Sequence, residues 1–455
     1  MSKFKLQSSS RMTEGNPYKL IFSFSVPIML GNIFQQFYNL VDLTIVSGKL
    51  GTGAMASVGA TYVITGFLYS FINGLTNGFS IITAQYYGAG NAKEMRRSVA
   101  ATISFSLLLT LLFTAVALLL VNPLLRTLHT PDTLMADAYN YVSVLLWGLI
   151  FTMLYNMFAN ILKAIGNSVV PLIFLVISAA INIGLDILFV NVFELGIRGA
   201  SLATVISQAI SASLCLIYII TKCPEVHIHA KDFHFDSRLI GKMLTTGFSM
   251  SMMLSVINVG SIILQSGINT LGETTLVAHT AARKIMEFTM MPVAVLAASC
   301  ATFTSQNYGG GKMDRIWKGT KAALIMGFAW SAFACAFTIP LSPYLVAMIA
   351  NDHSPEILQL GNLYLRIGIP LFFPLTVFVV LRNALQGIDQ RFVPIFCSVL
   401  ELVGKIIAIN LLVPSLGYLG VCLTEPIIWL GCGIVILIYY LVIKSKMINT
   451  TSIEK

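Results

Sequence analysis

Charged side chains are the scarcest feature of this sequence. Its 455 residues include 28 Lys and Arg and 19 Asp and Glu, about 10% of the chain, whereas an average soluble chain carries roughly 25%. Apolar residues make up 56% of the sequence, and its mean hydropathy is +0.82. Because so few charges cannot cover a soluble globule, the soluble, disordered, coiled-coil and secreted disulfide classes are excluded. The composition indicates a protein whose solvent is lipid.

Motifs of soluble catalysis and phosphate binding are also missing. The sequence contains no GxxxxGK[ST], H-E-x-x-H or G-x-S-x-G motif, and its seven cysteines include no C-x-x-C pair. Without an ATP-binding loop, an ion gradient remains as the energy source. We therefore expect no ATP, no organic cofactor and no enzymatic activity, with the cysteines serving as small packing residues.

Long apolar runs fill most of the chain, and each is long enough to cross a bilayer as a helix. They predict an all-α integral membrane protein with twelve spans, numbered here in chain order. The predicted spans are 20–46, 55–83, 98–121, 139–162, 168–192, 196–221, 241–267, 276–304, 319–341, 359–385, 393–413 and 417–443.

Basic residues are distributed unevenly between the two sides of these spans. The two tails and the even-to-odd connections carry 21 of the 28 Lys and Arg, a count that includes Lys163 and Arg382. By the positive-inside rule, both termini are cytoplasmic in a multi-pass protein of the plasma membrane or bacterial inner membrane. The surplus of positive charge is therefore topological, and we expect no nucleic-acid partner.

The sequence repeats itself at an offset of 221 residues. TAQYYGAG at 83–90 aligns with TSQNYGGG at 304–311, and LGIRGASL at 195–202 aligns with LGYLGVCL at 416–423. Near residue 160 the offset becomes 223. Two related halves of six spans each, or pseudo-symmetric six-helix bundles, follow from this pattern. Parallel repeats are typical of secondary transporters with sites near mid-membrane, although a duplicated structural bundle without transport is the alternative.

These observations predict five segments. They are an N-terminal cytoplasmic tail at 1–19, an N-terminal half at 20–222, a cytoplasmic linker at 223–239, a C-terminal half at 240–444 and a C-terminal cytoplasmic tail at 445–455.

Polar residues form stripes along one face of several spans in the first half, at helical spacing. Such faces cannot meet lipid, so we expect them to line a shared cavity or site. Their members are Asn32, Gln35, Asn39 and Asp42 in span 1, Tyr69, Asn73 and Asn77 in span 2, Tyr141, Asn156 and Asn160 in span 4, Ser178, Asn182 and Asp186 in span 5, and Thr204 in span 6. For any single amide, interhelical hydrogen bonding is the alternative role.

Asp42 and Asp186 are expected to bind a mobile cation. A charge in a lipid-embedded helix costs roughly 2.5–3.5 kcal/mol, and no Lys or Arg lies near mid-depth in spans 1 to 6. Carboxylate, amide and hydroxyl oxygens together suit a hard cation such as Na⁺. The same pair can hold a proton, because burial and a neighbouring like charge both favour the protonated carboxyl group. The sequence leaves Na⁺ and H⁺ open.

The second half differs at the corresponding positions. Span 11 carries Glu401 and Lys405 one turn apart, and span 12 carries Glu425. A lysine fixed in the chain can neutralise these carboxylates permanently, which favours a locked charge cluster here. In span 8, Arg283 and Glu287 are also one turn apart, and a structural ion pair is the simpler interpretation.

The chain resembles the multidrug and toxic compound extrusion (MATE) family over almost its whole length. The resemblance is carried by the opening PYKLIFSFSVPIMLGNIFQQFYNLVDLTIVSGKLG, the Q-Y-x-G-A/G-G loop in both halves and the N-x-x-x-D of span 5. It implies a V-shaped pair of six-helix bundles that exports amphipathic, often cationic, small organic molecules in exchange for Na⁺ or H⁺. A monomer in the lipid bilayer is expected.

The resemblance also implies roles for individual residues. Asp42, Asn182, Asp186 and Thr204 resemble the family's cation site in the first half, with Tyr141 close by. Pro27 resembles the bend of span 1, and Gln35 and Arg283 resemble positions of the substrate pocket, to which the stripes add Asn39, Asn73, Asn77, Asn156 and Asn160.

Two other functions are weighed against this one. A flippase for a lipid-linked saccharide would need a large cationic cavity, and this chain has few central cations beyond Arg283 and Lys284. An intramembrane enzyme would need a nucleophile or metal set at mid-depth, and His279, the only histidine in a predicted span, has no such partner in the sequence.

Overall fold

Helices form almost the entire structure, a computed structural model that describes residues 11–128 and 130–453. Within that part of the chain, eleven helices are long and apolar enough to cross a membrane, and a pair bent by 45° supplies the twelfth span. The predicted all-α membrane fold with twelve spans is confirmed. Residues 1–10 of the predicted N-terminal tail and the last two residues of the C-terminal tail lie outside the described residues.

The observed spans extend several residues beyond the predicted ones at most ends, because the helices continue into polar sequence outside the apolar runs. Their bounds are Pro17–Gly51, Gly53–Gly88, Ala92–Thr127, Asp132–Trp147 with Leu149–Ala164, Val169–Val192, Ile197–Lys222, Ser237–Asn269, Glu273–Gly309, Met313–Ala350, Pro355–Gly387, Phe392–Leu416 and Tyr418–Met447. The last helix runs on to Ile453.

The sequence repeat has a counterpart in the backbone. Gly51, Gly90 and Gly196 have positive φ angles of 80°, 69° and 62°, and the glycines 221 residues later have 95°, 66° and 58°. Gly166 has a φ of 87° and Asp389, 223 residues later, has 67°. These positive-φ positions lie between helices or at helix ends in both halves, where the chain changes direction, and residues other than Gly, Asn and Asp rarely adopt them.

Irregular helical turns also recur. Span 5 ends in the π-helical segment Ile187–Val192, and span 11 contains the π-helical segment Ala408–Leu412. Extra residues of this kind re-aim side chains and are frequent at functional sites. In span 5 the segment begins directly after Asp186.

The helices pack into two units. The first contains Val26–Ser251, and the second contains Met12–Ser25 and the chain from Met252 onward. Span 1 thus changes unit next to Pro27. In the second unit, the backbone N–H of Met12 donates to Gln306 Oε1 at 2.8 Å, and Ser25 Oγ donates to Ser299 Oγ at 2.8 Å. The predicted division into segments stays a prediction.

The segment between spans 6 and 7 folds back onto the start of span 3. Arg97 Nη2 donates to the His234 carbonyl at 2.7 Å, and Arg96 lies 3.8 Å from Asp232. The segment therefore lies on the same side of the first unit as the connection between spans 2 and 3.

Large apolar side chains remain exposed along the helices. Leu119 is 80% exposed, Phe392 77% and Trp147 70%. Such a surface would be unstable in water and suits contact with lipid acyl chains.

Candidate functional site

Two carboxylates from different spans meet inside the first unit. Asp186 is fully buried at the end of the regular helix in span 5, and Asp42 is half-buried in span 1. The two carboxyl groups lie within electrostatic range of each other. Two ionised carboxylates repel, so this arrangement needs either a proton on one of them or a cation between them.

Five buried side-chain atoms around this pair lack hydrogen-bond partners among the described residues. They are Asp42 Oδ1, both carboxylate oxygens of Asp186, and Oδ1 and Nδ2 of Asn182. Asn182 lies one turn before Asp186 and is 1% exposed. Each unsatisfied buried group costs about 1–3 kcal/mol, and more when it is charged. Four of the five atoms are oxygens, the ligand type of a hard cation.

Two tyrosine hydroxyls lie near these carboxylates, and the Thr204 hydroxyl belongs to the cavity described below. Tyr38, one turn before Asp42, and Tyr141 both lie within electrostatic range of Asp42 and Asp186. Thr204 Oγ1 donates to the Ala200 carbonyl at 3.2 Å, and its oxygen can still act as a ligand.

A cavity of about 230 Å³ opens within the first unit. Among the predicted pocket residues, Gln35, Asn73 and Asn156 line it, as do Pro27 and Thr204. The cavity lining therefore includes groups from spans 1, 2, 4 and 6.

Four predicted pocket residues do not line this cavity, and one of them, Arg283, lies in the second unit. Asn39 and Asn77 are not part of the lining. Asn160 is 6% exposed and donates to Thr76 Oγ1 at 3.0 Å, an interhelical bond between spans 4 and 2.

Five charged residues of the second unit form a connected cluster. Arg283 lies 3.0 Å from Glu287 and 2.5 Å from Glu425, and Lys405 lies 3.1 Å from Glu401 and 3.6 Å from Glu425. Lys405 is 1% exposed. Unlike Asp42 and Asp186, these carboxylates have cations of the chain itself beside them.

His279 lies beside this cluster, among tyrosines. Its Nδ1 is 3.3 Å from the Tyr418 hydroxyl, and the Tyr364 ring packs edge-on against it. Within the described ranges, no group of three His, Cys, Asp or Glu side chains is arranged to hold a metal ion.

Sequence reasoning missed several cavity residues. Tyr38 and Gln208 line the cavity of the first unit, and both had a signal, because each lies one turn from a predicted site residue, Asp42 or Thr204. The sequence places Lys163 and Arg382 in cytoplasmic connections, but Lys163 lies in the last turn of span 4, where it also lines this cavity, and Arg382 lies inside span 10, where it is 6% exposed.

Comparisons with known proteins agree with this architecture. The MatE family model matches twice, at residues 27–188 and 249–410. The chain is 28% identical over 379 residues to the probable multidrug resistance protein YpnP of Bacillus subtilis, with 83% of each chain covered. It is 22% identical over 434 residues to an FAD transporter of Shewanella oneidensis, with 93% and 94% covered.

A solved structure shares the fold. The crystal structure of MATE in the bent conformation aligns with a TM-score of 0.91 at 23% identity, over 98% of this chain and 100% of that one.

Proposed function

Because this chain belongs to the MatE family, we propose that it is a cation-coupled antiporter that exports amphipathic, often cationic, organic compounds in exchange for Na⁺ or H⁺. The observation that supports this most is the group of Asp42, Asn182 and Asp186, in which five of the six side-chain polar atoms are buried without a partner among the described residues. A mobile cation supplies the charge and the contacts that this group lacks. Relatives such as YpnP carry the name of multidrug resistance proteins.

The cation site drives transport only if it is coupled to conformation. A ligand shifts an equilibrium between two states only by its difference in affinity for them. In our proposal, a cation entering from outside binds Asp42 and Asp186 in a state in which span 1 is bent near Pro27. The cavity lined by Gln35, Asn73 and Asn156 shrinks in that state and releases its compound outward.

Pro27 suits the role of a bend. It lies inside the helix of span 1, lines the cavity and follows directly on the residues at which span 1 changes unit. Proline removes one backbone hydrogen bond and so weakens the helix locally.

We further propose a monomer in the plasma membrane or bacterial inner membrane, with both termini cytoplasmic. The ion gradient supplies the energy, and the protein uses neither ATP nor an organic cofactor. With Lys163 and Arg382 left out because they lie in spans 4 and 10, the predicted cytoplasmic segments still carry 19 of the 28 basic residues, which supports this orientation.

Ethidium transport in everted membrane vesicles tests the proposed function. Wild-type protein is expected to accumulate ethidium when a Na⁺ or H⁺ gradient is imposed, and collapsing the two gradients separately identifies the coupling ion. Asp42→Asn should abolish this uptake. The control is Asp137→Asn, which removes an exposed carboxylate from span 4 and should leave uptake unchanged. Wild-type uptake in Asp42→Asn would contradict the mechanism.

A further inference from the structure

The second unit encloses its own cavity, about 150 Å³ in volume, beside the charge cluster. Spans 7, 8, 10, 11 and 12 contribute to its walls. Much of the lining is apolar, with Met286, Met290, Phe378 and Trp429 among its members. Such walls suit the apolar body of an organic compound, since small-molecule sites combine apolar surface with a few polar groups.

Three basic side chains line this cavity, and one of them, Arg382, forms no ion pair with another described residue. Arg382 is 6% exposed, and its Nε and Nη1 atoms have no hydrogen-bond partner in the described part of the chain. Its guanidinium lies 4.6 Å from the centre of the Phe378 ring. Arginine keeps its charge in proteins, and a buried charge without polar partners is costly. A cation–π contact offsets only about 2 kcal/mol of such a cost.

The carboxylates of the cluster are already engaged by the other cations. Glu287 pairs with Arg283, Glu401 pairs with Lys405, and Glu425 lies between Arg283 and Lys405. Glu401 lies within electrostatic range of Arg382, but its close partner is Lys405 at 3.1 Å. The Nε and Nη1 groups of Arg382 therefore keep donor capacity that no side chain of the described residues uses.

We propose that Arg382 is the anion-binding group of a substrate site for amphipathic compounds that carry a carboxylate or phosphate. A guanidinium binds such groups through paired, charge-assisted hydrogen bonds. Phe378 holds the guanidinium from one side, and the methionines and Trp429 contact the apolar body. Binding at this site does not depend on the proposed function. Only the export of the bound compound rests on it.

The site extends the substrate range beyond cationic compounds. The cavity of the first unit, whose lining includes Lys163, lies near carboxylates that form no ion pair among the described residues, whereas the cavity of the second unit has an arginine whose Nε and Nη1 are bonded to no anion. A compound with an acidic group and an apolar ring system fits the second cavity by charge as well as by hydrophobic contact.

A matched pair of fluorescent probes tests the site by binding alone. The acid is 7-diethylaminocoumarin-3-carboxylate, and its ethyl ester has the same ring system without the negative charge. Binding to the purified protein is followed by fluorescence anisotropy in detergent, with micelles alone as the blank. Arg382→Gln should weaken binding of the acid by about tenfold or more and leave binding of the ester within about twofold.

Two further variants separate a binding role from a structural one. Arg382→Lys keeps the positive charge without the planar fork, so its affinity for the acid should fall between wild type and Arg382→Gln. Arg391→Gln removes an arginine that pairs with Asp389 outside the cavity and should bind both probes as wild type does. Unchanged acid binding in Arg382→Gln, or equal loss of acid and ester, would overturn the proposal.

The result is independent of transport. Selective loss of acid binding together with an absence of ion-driven ethidium uptake in wild-type vesicles would retain the site and reject the antiporter. Ion-driven ethidium uptake together with unchanged acid binding in Arg382→Gln would retain the antiporter and reject the site.

Discussion

At the scale of single residues, two buried asparagines of the first unit have opposite surroundings. Asn160 is bonded to Thr76, whereas the side-chain amide of Asn182 has no partner among the described residues. The sequence presents both as polar residues on the faces of neighbouring spans. Only packing distinguishes an amide that holds helices together from one that is available to a ligand.

We expect Asn182→Ala to reduce cation binding without a matching loss of stability. Removing an unsatisfied amide removes a desolvation cost of about 1–3 kcal/mol from the folded state. This gain offsets the loss of stability from the small cavity that the substitution leaves. The stability of the cation-free protein should therefore stay within about 1 kcal/mol of wild type. The rise in melting temperature that Na⁺ or lower pH produces in wild type should shrink, because a ligand of the site is lost.

Asn160→Ala is the matched control for that experiment. It removes a made hydrogen bond and should cost about 1–2 kcal/mol, with the response to Na⁺ or pH retained. If Asn160→Ala loses the rise in melting temperature with Na⁺ or lower pH and Asn182→Ala keeps it, Asn182 is not a ligand of the cation site.

The charge cluster of the second unit makes a prediction of its own. Lys405→Met leaves Glu401 and Glu425 buried with one fewer cation, which should destabilise the protein by about 3–5 kcal/mol. The double variant with Glu401→Met removes the stranded carboxylate and should recover much of that loss, because coupled residues are not additive. Melting temperatures of the two single variants and the double variant measure this. Additive losses would show that Lys405 and Glu401 do not form a coupled pair.

At the scale of elements, close helix approach in the first unit depends on small residues. Gly74 and Gly78 of span 2 face Gly247 and Ser251 in the first part of span 7, and a Cβ atom added at Gly78 would lie 2.7 Å from the Gly247 Cα atom. Small residues four positions apart allow helix backbones to approach in this way. Backbone atoms cannot move aside as a flexible side chain can.

Gly78→Ala should therefore destabilise the protein by about 1–3 kcal/mol through overpacking. The control is Gly66→Ala in the same span, where an added Cβ atom meets nothing within 4 Å. That change should be neutral or stabilising by up to about 1 kcal/mol, since alanine is the better helix former. Equal melting temperatures for the two variants would show that the contact between spans 2 and 7 is looser than described.

At the scale of the whole molecule, the sequence predicts the spans far better than it predicts the partners of individual side chains. An apolar run of twenty residues in lipid forms a helix, because a helix makes all the backbone hydrogen bonds within the segment itself. Span 3 nevertheless begins at Ala92 and not at residue 98, because its first turn is polar and extends beyond the apolar run. Arg382 lies only three residues from the predicted end of span 10, so its burial depends on neighbouring spans that no local pattern reveals.

Orientation in the membrane is the last prediction, and accessibility of single introduced cysteines tests it. Ala230 lies in the segment between spans 6 and 7, His353 lies between spans 9 and 10, and both are exposed. With both termini cytoplasmic, an impermeant maleimide should label His353→Cys in intact cells and Ala230→Cys only after the membrane is permeabilised. The unmodified chain is the blank, because six of its seven cysteines are buried and Cys335 is partly buried within span 9. Labelling of Ala230→Cys but not His353→Cys in intact cells would invert the orientation. The proposed entry of the coupling cation to Asp42 from outside would then have to be replaced by entry from the cytoplasm.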